Sequence, residues 1–351
     1  MTNCELCYSH KVRPLSLAKA VDEEILGHRN QRGEWAPRAP LEYPPIFVWP
    51  PKPRKLATWF RGYLFSWNLL YAVIALGIWL FLTPSLETAE SFGTGWVLPI
   101  LIRNAVIVVV FYSLLHIPLY VRRSQGETFK YKPGWPKIDS RLFLFRNQTR
   151  DNVFWTLCSG VPIWTAYECF MLWAFSNGHI TSLTWDADAF WIILLMLLVP
   201  VWRDPHFFVT HRLLHSRALY RRFHKLHHSN TNPGPWSGLA MHPVEHVLYF
   251  SGVLIHFIVP ASPVVLIYQL VHSGLAPAPG HLGYEKMLVP GLRDARQVNS
   301  EAFNHYLHHK YFECNYSDGV FPLDKWFGTF NDGSPEARAA MQERLARRGH
   351  T

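Results

Sequence analysis

Four long apolar stretches follow one another in the first part of the chain. They cover residues 64–82, 96–121, 153–175 and 189–202. A helix that crosses the core of a bilayer takes about 20 mostly apolar residues. These stretches therefore predict four membrane-spanning helices, the fourth if it extends back toward Leu183. Arg103 interrupts the second stretch, which suits a span only if this side chain lies near one end or pairs with another group.

A fifth apolar stretch, residues 247–271, contains Pro260 and Pro263 near its middle. Because proline breaks a continuous helix, we expect two half-length helices that enter the membrane and return to the same side. Such a re-entrant hairpin keeps the histidine-rich segments before and after it at one membrane face.

The polar segments complete the division of the chain. Residues 1–62 form a polar, basic arm, 63–202 the transmembrane helices, 203–335 the histidine-rich region with the hairpin, and 336–351 a C-terminal tail. Cys4 and Cys7 form a CxxC pair with no second pair, which we interpret as neither a metal nor a redox site. The predicted fold class is an all-α polytopic membrane protein with a helical cap.

Charged residues orient the predicted spans. Residues 83–95 and 176–188 contain acidic residues but no Lys or Arg, whereas residues 122–150 contain eight Lys and Arg. Positively charged loops stay on the cytoplasmic side of a membrane. The N terminus, the 122–150 loop and everything after Trp202 are thus expected in the cytoplasm.

Composition narrows the classes of function. Charged residues make up 17% of the chain and aromatic residues 15%, which excludes a disordered or coiled-coil protein. Five cysteines are too few for a disulfide-stapled fold. The net charge of +9 follows the loops instead of marking one basic domain, so we expect no nucleic-acid partner.

Histidine is the most unusual component, because 14 of the 19 histidines lie between His206 and His309. Residues three or four apart share one face of a helix, so closely spaced histidines present their imidazoles to one point. Three boxes have this spacing: HxxxH at His211 and His215, HxxHH at His224, His227 and His228, and HxxHH at His305, His308 and His309.

The boxes favour metal binding, since neutral imidazole is the commonest metal ligand in proteins. Eight imidazoles exceed the three protein ligands of a catalytic zinc ion, so two metal ions that share a site are predicted. Imidazole binds Fe, Zn, Cu or Ni, and the residues alone leave the metal open. The chain contains no HExxH motif and no phosphate-binding loop.

The same segments carry a resemblance to a known family. Residues 204–246 read DPHFFVTHRLLHSRALYRRFHKLHHSNTNPGPWSGLAMHPVEH, and residues 305–330 read HYLHHKYFECNYSDGVFPLDKWFGTF. With the His-Pro-x-Glu element at 242–245 and the His-Ser-Gly element at 272–274, they resemble the fatty acid hydroxylase/sterol desaturase superfamily of integral-membrane non-haem di-iron oxygenases. The sterol desaturase branch is the more similar one. The resemblance covers roughly residues 150–330.

The resemblance implies a set of metal ligands for two iron ions. It carries over the eight box histidines and His272, and we add His281, which lies in a polar stretch after the hairpin. His242 is either a ligand or a supporting group. His206 and His246 are expected to support the site by donating to Asp204 or Glu245. The expected ligands are His211, His215, His224, His227, His228, His272, His281, His305, His308 and His309.

The resemblance also implies an oxidoreductase that uses O2 to hydroxylate or desaturate an unactivated C–H position of a lipid. A sterol is the favoured substrate, fatty acyl chains, including those of sphingolipids, are second, and carotenoids third. The active site is expected on the cytoplasmic side of the endoplasmic reticulum membrane in a eukaryote or of the inner membrane in a bacterium.

A separate electron donor is expected, because the chain shows no flavin, nicotinamide or fused haem motif. Cytochrome b5 or a ferredoxin, with its reductase, fits this role. Basic residues beside the second box suit docking of such an acidic carrier, and contact with lipid headgroups is the alternative use of the same charges. These residues are Arg217, Arg221, Arg222 and Lys225.

Two other classes of function stay open. A histidine-rich membrane metal transporter requires polar groups inside its spans, where this chain offers only Arg103, His116 and Glu168. A lipid-binding protein without catalysis would have no use for three intact boxes. Both alternatives are therefore weaker than the lipid oxidoreductase.

Overall fold

The computed structural model describes residues 23–65, 67–289 and 296–347. Cys4 and Cys7 lie outside these residues, as do the start of the expected arm and the end of the tail. The interpretation of the CxxC pair therefore stays a prediction.

The described residues are mostly helical. The N-terminal part contains α1 (Glu23–Leu26), β1 (Gly27–Arg29), β2 (Trp35–Pro37), α2 (Pro53–Phe65) and α3 (Trp67–Leu82). Next come α4 (Thr94–His116), α5 (Gln148–Trp155), α6 (Val161–Ser176), α7 (Trp185–Leu214), α8 (Arg217–Leu219) and α9 (Lys225–His228). The remainder contains α10 (Pro243–Phe250), α11 (Pro263–Leu275), α12 (Pro277–Gly280), β3 (Lys286–Val289), β4 (Arg296–Asn299), α13 (Phe303–Tyr311), α14 (Leu323–Trp326) and α15 (Pro335–Arg347).

Within the described ranges, three helical segments are long and apolar enough to cross a membrane. They are Pro53–Leu82, Thr94–Val121 and Trp185–Leu214, and they contain the predicted stretches 64–82, 96–121 and 189–202. The first segment begins ahead of the expected boundary at residue 63, because proline is well suited to the first turn of a helix. The chain is thus a helical membrane protein.

The remaining predicted stretch, residues 153–175, is helical but is not among those three segments. It belongs to a helical run formed by α5, a π turn and α6, and it packs against α4, α10 and α11. At one end, Gln148 donates to Asn230 beside the second box (3.0 Å). At the other end, Ser176 donates to the Leu86 carbonyl between α3 and α4. The run therefore extends through the same layer as α4, and neighbouring helices shelter its polar side chains.

Arg103 does pair with another group, as the second stretch required. Its Nη2 lies 2.5 Å from Glu168 Oε1 on α6, and its Nη1 donates to the Leu82 carbonyl at 3.0 Å. Asn104 Nδ2 donates to the second carboxylate oxygen of Glu168 at 3.1 Å. Both charges therefore have partners, which offsets the loss of their hydration.

The predicted hairpin is present as α10, a 3-10 turn at Ser251–Phe257, and α11. The break lies at 258–262, where Ala261 N donates to the Thr181 carbonyl (3.2 Å) and Leu183 N donates to the Ala261 carbonyl (2.9 Å). The tip thus lies beside the start of α7, whereas the histidine boxes lie at the other end of that helix. The entry of this hairpin into a membrane remains a prediction.

Segments that are far apart in sequence pack around α13, and we call the residues packed there the cap. Trp35 of β2 packs edge-on against Phe129 (5.5 Å between ring centroids), and Tyr131 stacks on Tyr306 of α13 (4.7 Å). Trp35 N also donates to the Tyr131 carbonyl at 2.9 Å. From residue 23 onward, part of the expected arm is therefore packed onto the helix that carries the third histidine box.

Candidate metal centre

The first two histidine boxes lie on either side of a break between helices. Helix α7 ends at Leu214, so His211 lies in its last turn and His215 caps it. After α8, the chain passes through a π turn, Tyr220–His224, into α9. π turns are common at functional sites, and this one brings the rings of His224 and His228 to 4.6 and 4.9 Å from that of His215.

The third box lies on α13, which ends at Phe312 in a left-handed conformation (φ +65°). The ring of Phe312 then packs over His228, with 4.9 Å between ring centroids. An aromatic side chain from the third box thus covers a histidine of the second box, and the two boxes close on each other.

Nine histidines form two neighbouring groups in which each ring offers one nitrogen to a common point. Within each group these nitrogens lie within 4.8 Å of one another. Adjacent residues on a helix point about 100° apart, which explains why His227 and His228 belong to different groups. The first group is His211, His215, His224, His228 and His308, and the second is His227, His281, His305 and His309.

The Nε2 atoms within each group are spaced as ligands of one metal ion. His215 Nε2 lies 3.0 Å from that of His224 and 3.1 Å from that of His308. His281 Nε2 lies 2.9 Å from that of His305 and 3.1 Å from that of His309. Nitrogens bound at about 2.1 Å are about 3.0 Å apart at right angles and about 3.4 Å apart at the tetrahedral angle. The spacing therefore fits imidazoles that share one metal ion in each group.

In five of these rings the Nδ1 atom faces an oxygen acceptor outside the group. A carbonyl oxygen only accepts, so the ring proton lies on Nδ1 and the lone pair of Nε2 faces the metal position. This arrangement also fixes the orientation of each ring. The acceptors are the carbonyls of Tyr316 for His211 (2.8 Å), Ala240 for His227 (3.4 Å), Pro277 for His281 (2.9 Å) and Cys314 for His308 (2.7 Å), and the carboxylate of Glu245 for His224 (2.7 Å).

Burial keeps these imidazoles neutral. It lowers the pKa of His224 to about 3 and the pKa of His281 to about 4, because the charged ring would lose its hydration. For His308 and His309, burial is again the main cause of a lowered pKa, and the neighbouring imidazoles add to it. A neutral imidazole has the lone pair that binds a metal ion, so this donor set fits metal ligation.

His272, the remaining predicted ligand, lies outside both groups. It is buried on α11, and its Nε2 lies 3.0 Å from Asn68 Oδ1 on α3. The glycine of the same His-Ser-Gly element has a packing role, because a Cβ at Gly274 would lie 2.2 Å from the Trp164 ring. Close contact between α11 and α6 therefore requires glycine at this position.

The His-Pro-x-Glu element positions Glu245. The Nδ1 atom of His242 accepts from Val244 N (3.2 Å), which caps the start of α10, and His242 belongs to neither histidine group. Glu245 then lies in the first turn, buried, with its carboxylate on His224. His242 thus caps the helix that carries Glu245, and Glu245 makes the contact that supports His224.

His206 and His246 do not contact the carboxylates that we expected them to support. His206 Nε2 lies 3.0 Å from Ser251 Oγ, and His246 Nδ1 lies 2.9 Å from Ser159 Oγ. Asp204 accepts instead from two backbone N–H groups, at 2.7 and 2.6 Å, in the segment that follows the third box. These residues therefore fix the helices around the site without contacting the metal-binding rings.

A cavity of about 380 Å³ reaches both histidine groups. This volume lies in the usual range of small-molecule sites. Sequence reasoning did not single out Asn68 and Tyr71 in its wall, although Asn68 is the one strongly polar residue of the first apolar stretch. The lining includes His211, His227 and His305 together with Trp59, Tyr63 and Trp67 of α2 and α3.

The basic residues beside the second box are exposed. Arg217, Arg221, Arg222 and Lys225 all lie at the surface, on the segments that carry His224 and His228. A positively charged surface thus lies directly outside the first histidine group.

Comparison with known proteins finds one family that is similar to the histidine-rich region of the chain. Residues 196–329 match the model of the fatty acid hydroxylase family. A Delta(7)-sterol 5(6)-desaturase of Gibberella zeae is 30% identical over 146 residues, which are 42% of this chain and 44% of that protein. Methylsterol monooxygenase 1 of Gallus gallus is 30% identical over 153 residues, 41% of this chain and 49% of its own length.

One relative matches over a longer region. A putative Delta(7)-sterol-C5(6)-desaturase of Arabidopsis thaliana is 24% identical over 295 residues, which are 81% of this chain and 84% of that protein. The chain thus spans about half the length of the two relatives that are 30% identical and most of the length of this third one. No solved structure matches the chain.

Proposed function

Because this chain belongs to the fatty acid hydroxylase/sterol desaturase superfamily, we propose that it is an O2-dependent di-iron oxidoreductase of lipids. It hydroxylates or desaturates an unactivated C–H position. The observation that carries this proposal is the pair of histidine groups that share one cavity with apolar membrane helices.

Iron is the proposed metal for both groups. The nine histidines supply neutral nitrogen ligands, and the larger group has five, more than the three or four protein ligands of a zinc ion. When bound, iron activates O2 for attack on a strong C–H bond, a chemistry that no side chain supplies. The chain's own contribution is to hold the rings by their Nδ1 hydrogen bonds and to bind the lipid in the adjoining cavity.

The cavity wall suits a lipid that enters from the membrane side. Trp59, Tyr63 and Trp67 belong to a helical segment that is apolar enough to cross a bilayer, and all three line the cavity. Phe207 and Tyr249 continue the lining toward the histidines. These side chains exclude water from the substrate and orient it, which protects the reaction from competing hydrolysis and proton leakage.

A sterol is the proposed substrate class. The Gibberella and Arabidopsis relatives are sterol desaturases by name, and the chicken relative is a methylsterol monooxygenase. A fatty acyl lipid is the alternative, supported by the name of the matching family.

Electrons are proposed to come from an acidic carrier, such as cytochrome b5 or a ferredoxin, that docks on the surface formed by Arg217, Arg221, Arg222 and Lys225. Charge complementarity speeds such association and makes it sensitive to salt. Reduction of the protein by the carrier should slow as ionic strength rises. A rate that is independent of salt would argue against this docking surface.

We further propose that four helical runs cross the membrane, since the run through α5 and α6 extends alongside α4 from the histidine end to the opposite end. The basic 122–150 loop then places the histidine groups on the cytoplasmic side. The metal transporter is the weaker alternative. Arg103 and Glu168, two of the polar residues available to an ion path, are bonded to each other.

Two measurements test the proposed function. The purified protein should contain about two iron ions per chain, one for each histidine group, and His308→Ala should lose iron whereas His246→Ala should retain it. Lipid profiling of cells with and without the protein should then show a lipid that gains one oxygen atom or loses two hydrogen atoms. Tightly bound zinc in place of iron, or an unchanged lipid profile, would contradict the proposal.

A further inference from the structure

Four buried polar atoms of residues that line the cavity have no hydrogen-bond partner among the described residues. They are Arg203 Nε and Glu245 Oε2, on ionisable side chains bonded elsewhere, and Tyr71 Oη and His272 Nδ1. Tyr71 and His272 are 1% and 5% exposed, and their ring centroids are 5.3 Å apart. A buried polar atom without a partner costs free energy. The neighbouring rings of Tyr71 and His272, each with one such atom, therefore mark a place for a polar group of a ligand.

A chain of hydrogen bonds determines what this place offers to a ligand. Asn68 Nδ2 donates to the Tyr63 carbonyl at 2.7 Å, which turns its Oδ1 toward His272. Because Oδ1 only accepts, the Nε2 atom of His272 carries the ring proton. A neutral imidazole that donates from Nε2 accepts at Nδ1. The wall thus combines an acceptor on His272 with the hydroxyl donor of Tyr71.

We propose that Tyr71 and His272 bind the hydroxyl group of an uncharged lipid, an inference that rests on the proposed function as a lipid oxidoreductase. Tyr71 donates to the oxygen of the lipid hydroxyl, and that hydroxyl donates to His272 Nδ1. A ketone, an ester or a carboxylate has no proton to donate to His272 Nδ1. A hydrocarbon forms a hydrogen bond with neither Tyr71 nor His272. His272 is then a positioning residue for the substrate instead of a metal ligand.

The charges around the cavity favour an uncharged head group. Arg203 is the only Lys or Arg in the described lining; its two terminal nitrogens are bonded to Asp318 and to Tyr249, and its Nε has no partner among the described residues. Glu245 and Glu301 also line the cavity. A free fatty acid anion would therefore find one basic partner, which is already paired with Asp318, whereas a lipid alcohol brings no charge into this surface.

Binding measurements on metal-free protein test the proposal separately from catalysis. The full chain in lipid nanodiscs, stripped of metal with a chelator, is titrated with two matched pairs, cholesterol with cholestane and hexadecanol with hexadecane, and with palmitate. In at least one pair the alcohol should bind roughly tenfold more tightly than its hydrocarbon, the effect of one or two hydrogen bonds. Palmitate should bind more weakly than hexadecanol.

Three variants assign the preference to named side chains. Tyr71→Phe and His272→Phe should each bring the ratio of alcohol to hydrocarbon affinity close to one, while the affinity for the hydrocarbon changes by less than about twofold. Tyr268→Phe is the matched control, because Tyr268 contacts the His272 ring (6.0 Å) but does not line the cavity. It should keep the wild-type ratio.

Three results would overturn the proposal. Wild-type protein that binds neither alcohol, or binds each as weakly as its hydrocarbon, removes the hydroxyl site. Equal losses of affinity for both members of a pair in the variants assign Tyr71 and His272 a packing role only. Loss of iron from His272→Phe, compared with iron retained in Tyr268→Phe, makes His272 a metal ligand. Failure of the proposed oxidation itself would instead appear as unchanged lipids in cells, with the binding ratios unaffected.

Discussion

Glu245 Oε1 lies 2.7 Å from His224 Nδ1, and both side chains are buried. This contact joins the start of the hairpin to the second histidine box, because Glu245 belongs to α10 and His224 ends the π turn before α9. Among the described residues, this is the one contact in which a carboxylate accepts a hydrogen bond from a ring of the two histidine groups; the other acceptors outside the groups are carbonyls. A carboxylate in this position fixes the ring and makes its other nitrogen a stronger ligand.

Replacing Glu245 should weaken metal binding at the first group. For Glu245→Gln we expect a loss of roughly 10- to 100-fold in metal affinity, because the amide is a weaker acceptor and also presents a donor. Competition with a chelator on purified protein measures this. Glu285→Gln is the matched control, since Glu285 is bonded to Tyr131 in the cap. Equal metal affinity in both variants would remove the supporting role of Glu245.

The sequence predicted the helical membrane architecture and the convergence of the three boxes, because both follow from periodicity and spacing. It did not predict how the boxes divide. Adjacent histidines on a helix point about 100° apart, but the rotation of α9 decides which of His227 and His228 faces which group. That rotation follows a π turn, and a local register of this kind leaves no periodic signal. His281 illustrates the opposite case, because it was expected from its polar surroundings alone and lies in the second group.

Other features depended on tertiary packing that one sequence does not encode locally. The sequence predicted residues 153–175 as a helix but not the burial of its polar residues Thr165 and Glu168 against neighbouring helices. Trp35 packs with Phe129 and Tyr131, which lie about a hundred positions later in the chain. Strands as short as β1 and β2 also give little signal in the sequence. Long-range partners of this kind escape any argument from spacing.

Gly274 should not tolerate a side chain. A Cβ there would lie 2.2 Å from the Trp164 ring, so Gly274→Ala should lower the free energy of unfolding by about 1–3 kcal/mol through overpacking. Thermal unfolding in detergent measures the loss. Gly77→Ala is the matched control, because Gly77 is also helical and a Cβ there meets nothing within 4 Å. Trp164→Leu should partly rescue Gly274→Ala, and equal melting of both alanine variants would contradict the packing argument.

Removing one partner of the Arg103–Glu168 pair should cost more than removing both. The two side chains are nearly inaccessible, at 8% and 1%, so Arg103→Met leaves a buried carboxylate that has lost its main partner, at a cost of about 3–5 kcal/mol. The double variant with Glu168→Leu should recover a large part of this loss. A double-mutant cycle on unfolding in detergent tests it, and additive losses would show that the pair is not coupled.

Lys130 is a fully buried lysine in the 122–150 loop. Its Nζ donates to the Lys132 carbonyl and to Asn232 Oδ1, each at 2.9 Å, and three aromatic rings lie 5.5 to 5.9 Å away. Burial lowers the pKa of Lys130 from 10.5 to about 7, because the ammonium loses its hydration. The residue therefore links the stability of the cap to pH.

The direction of this dependence follows from the protons bound in each state. Between pH 7 and 10.5 the unfolded chain keeps the lysine proton and the folded chain releases it, so the free energy of unfolding rises with pH by up to about 1.4 kcal/mol per unit. Lys130→Met lacks this contribution. The melting temperature of the wild type minus that of Lys130→Met should therefore increase from pH 7 to pH 9, whereas the same difference for the exposed Lys52→Met should stay constant. A difference for Lys130→Met that does not change with pH would mean that the aromatic rings hold the ammonium charged despite its burial.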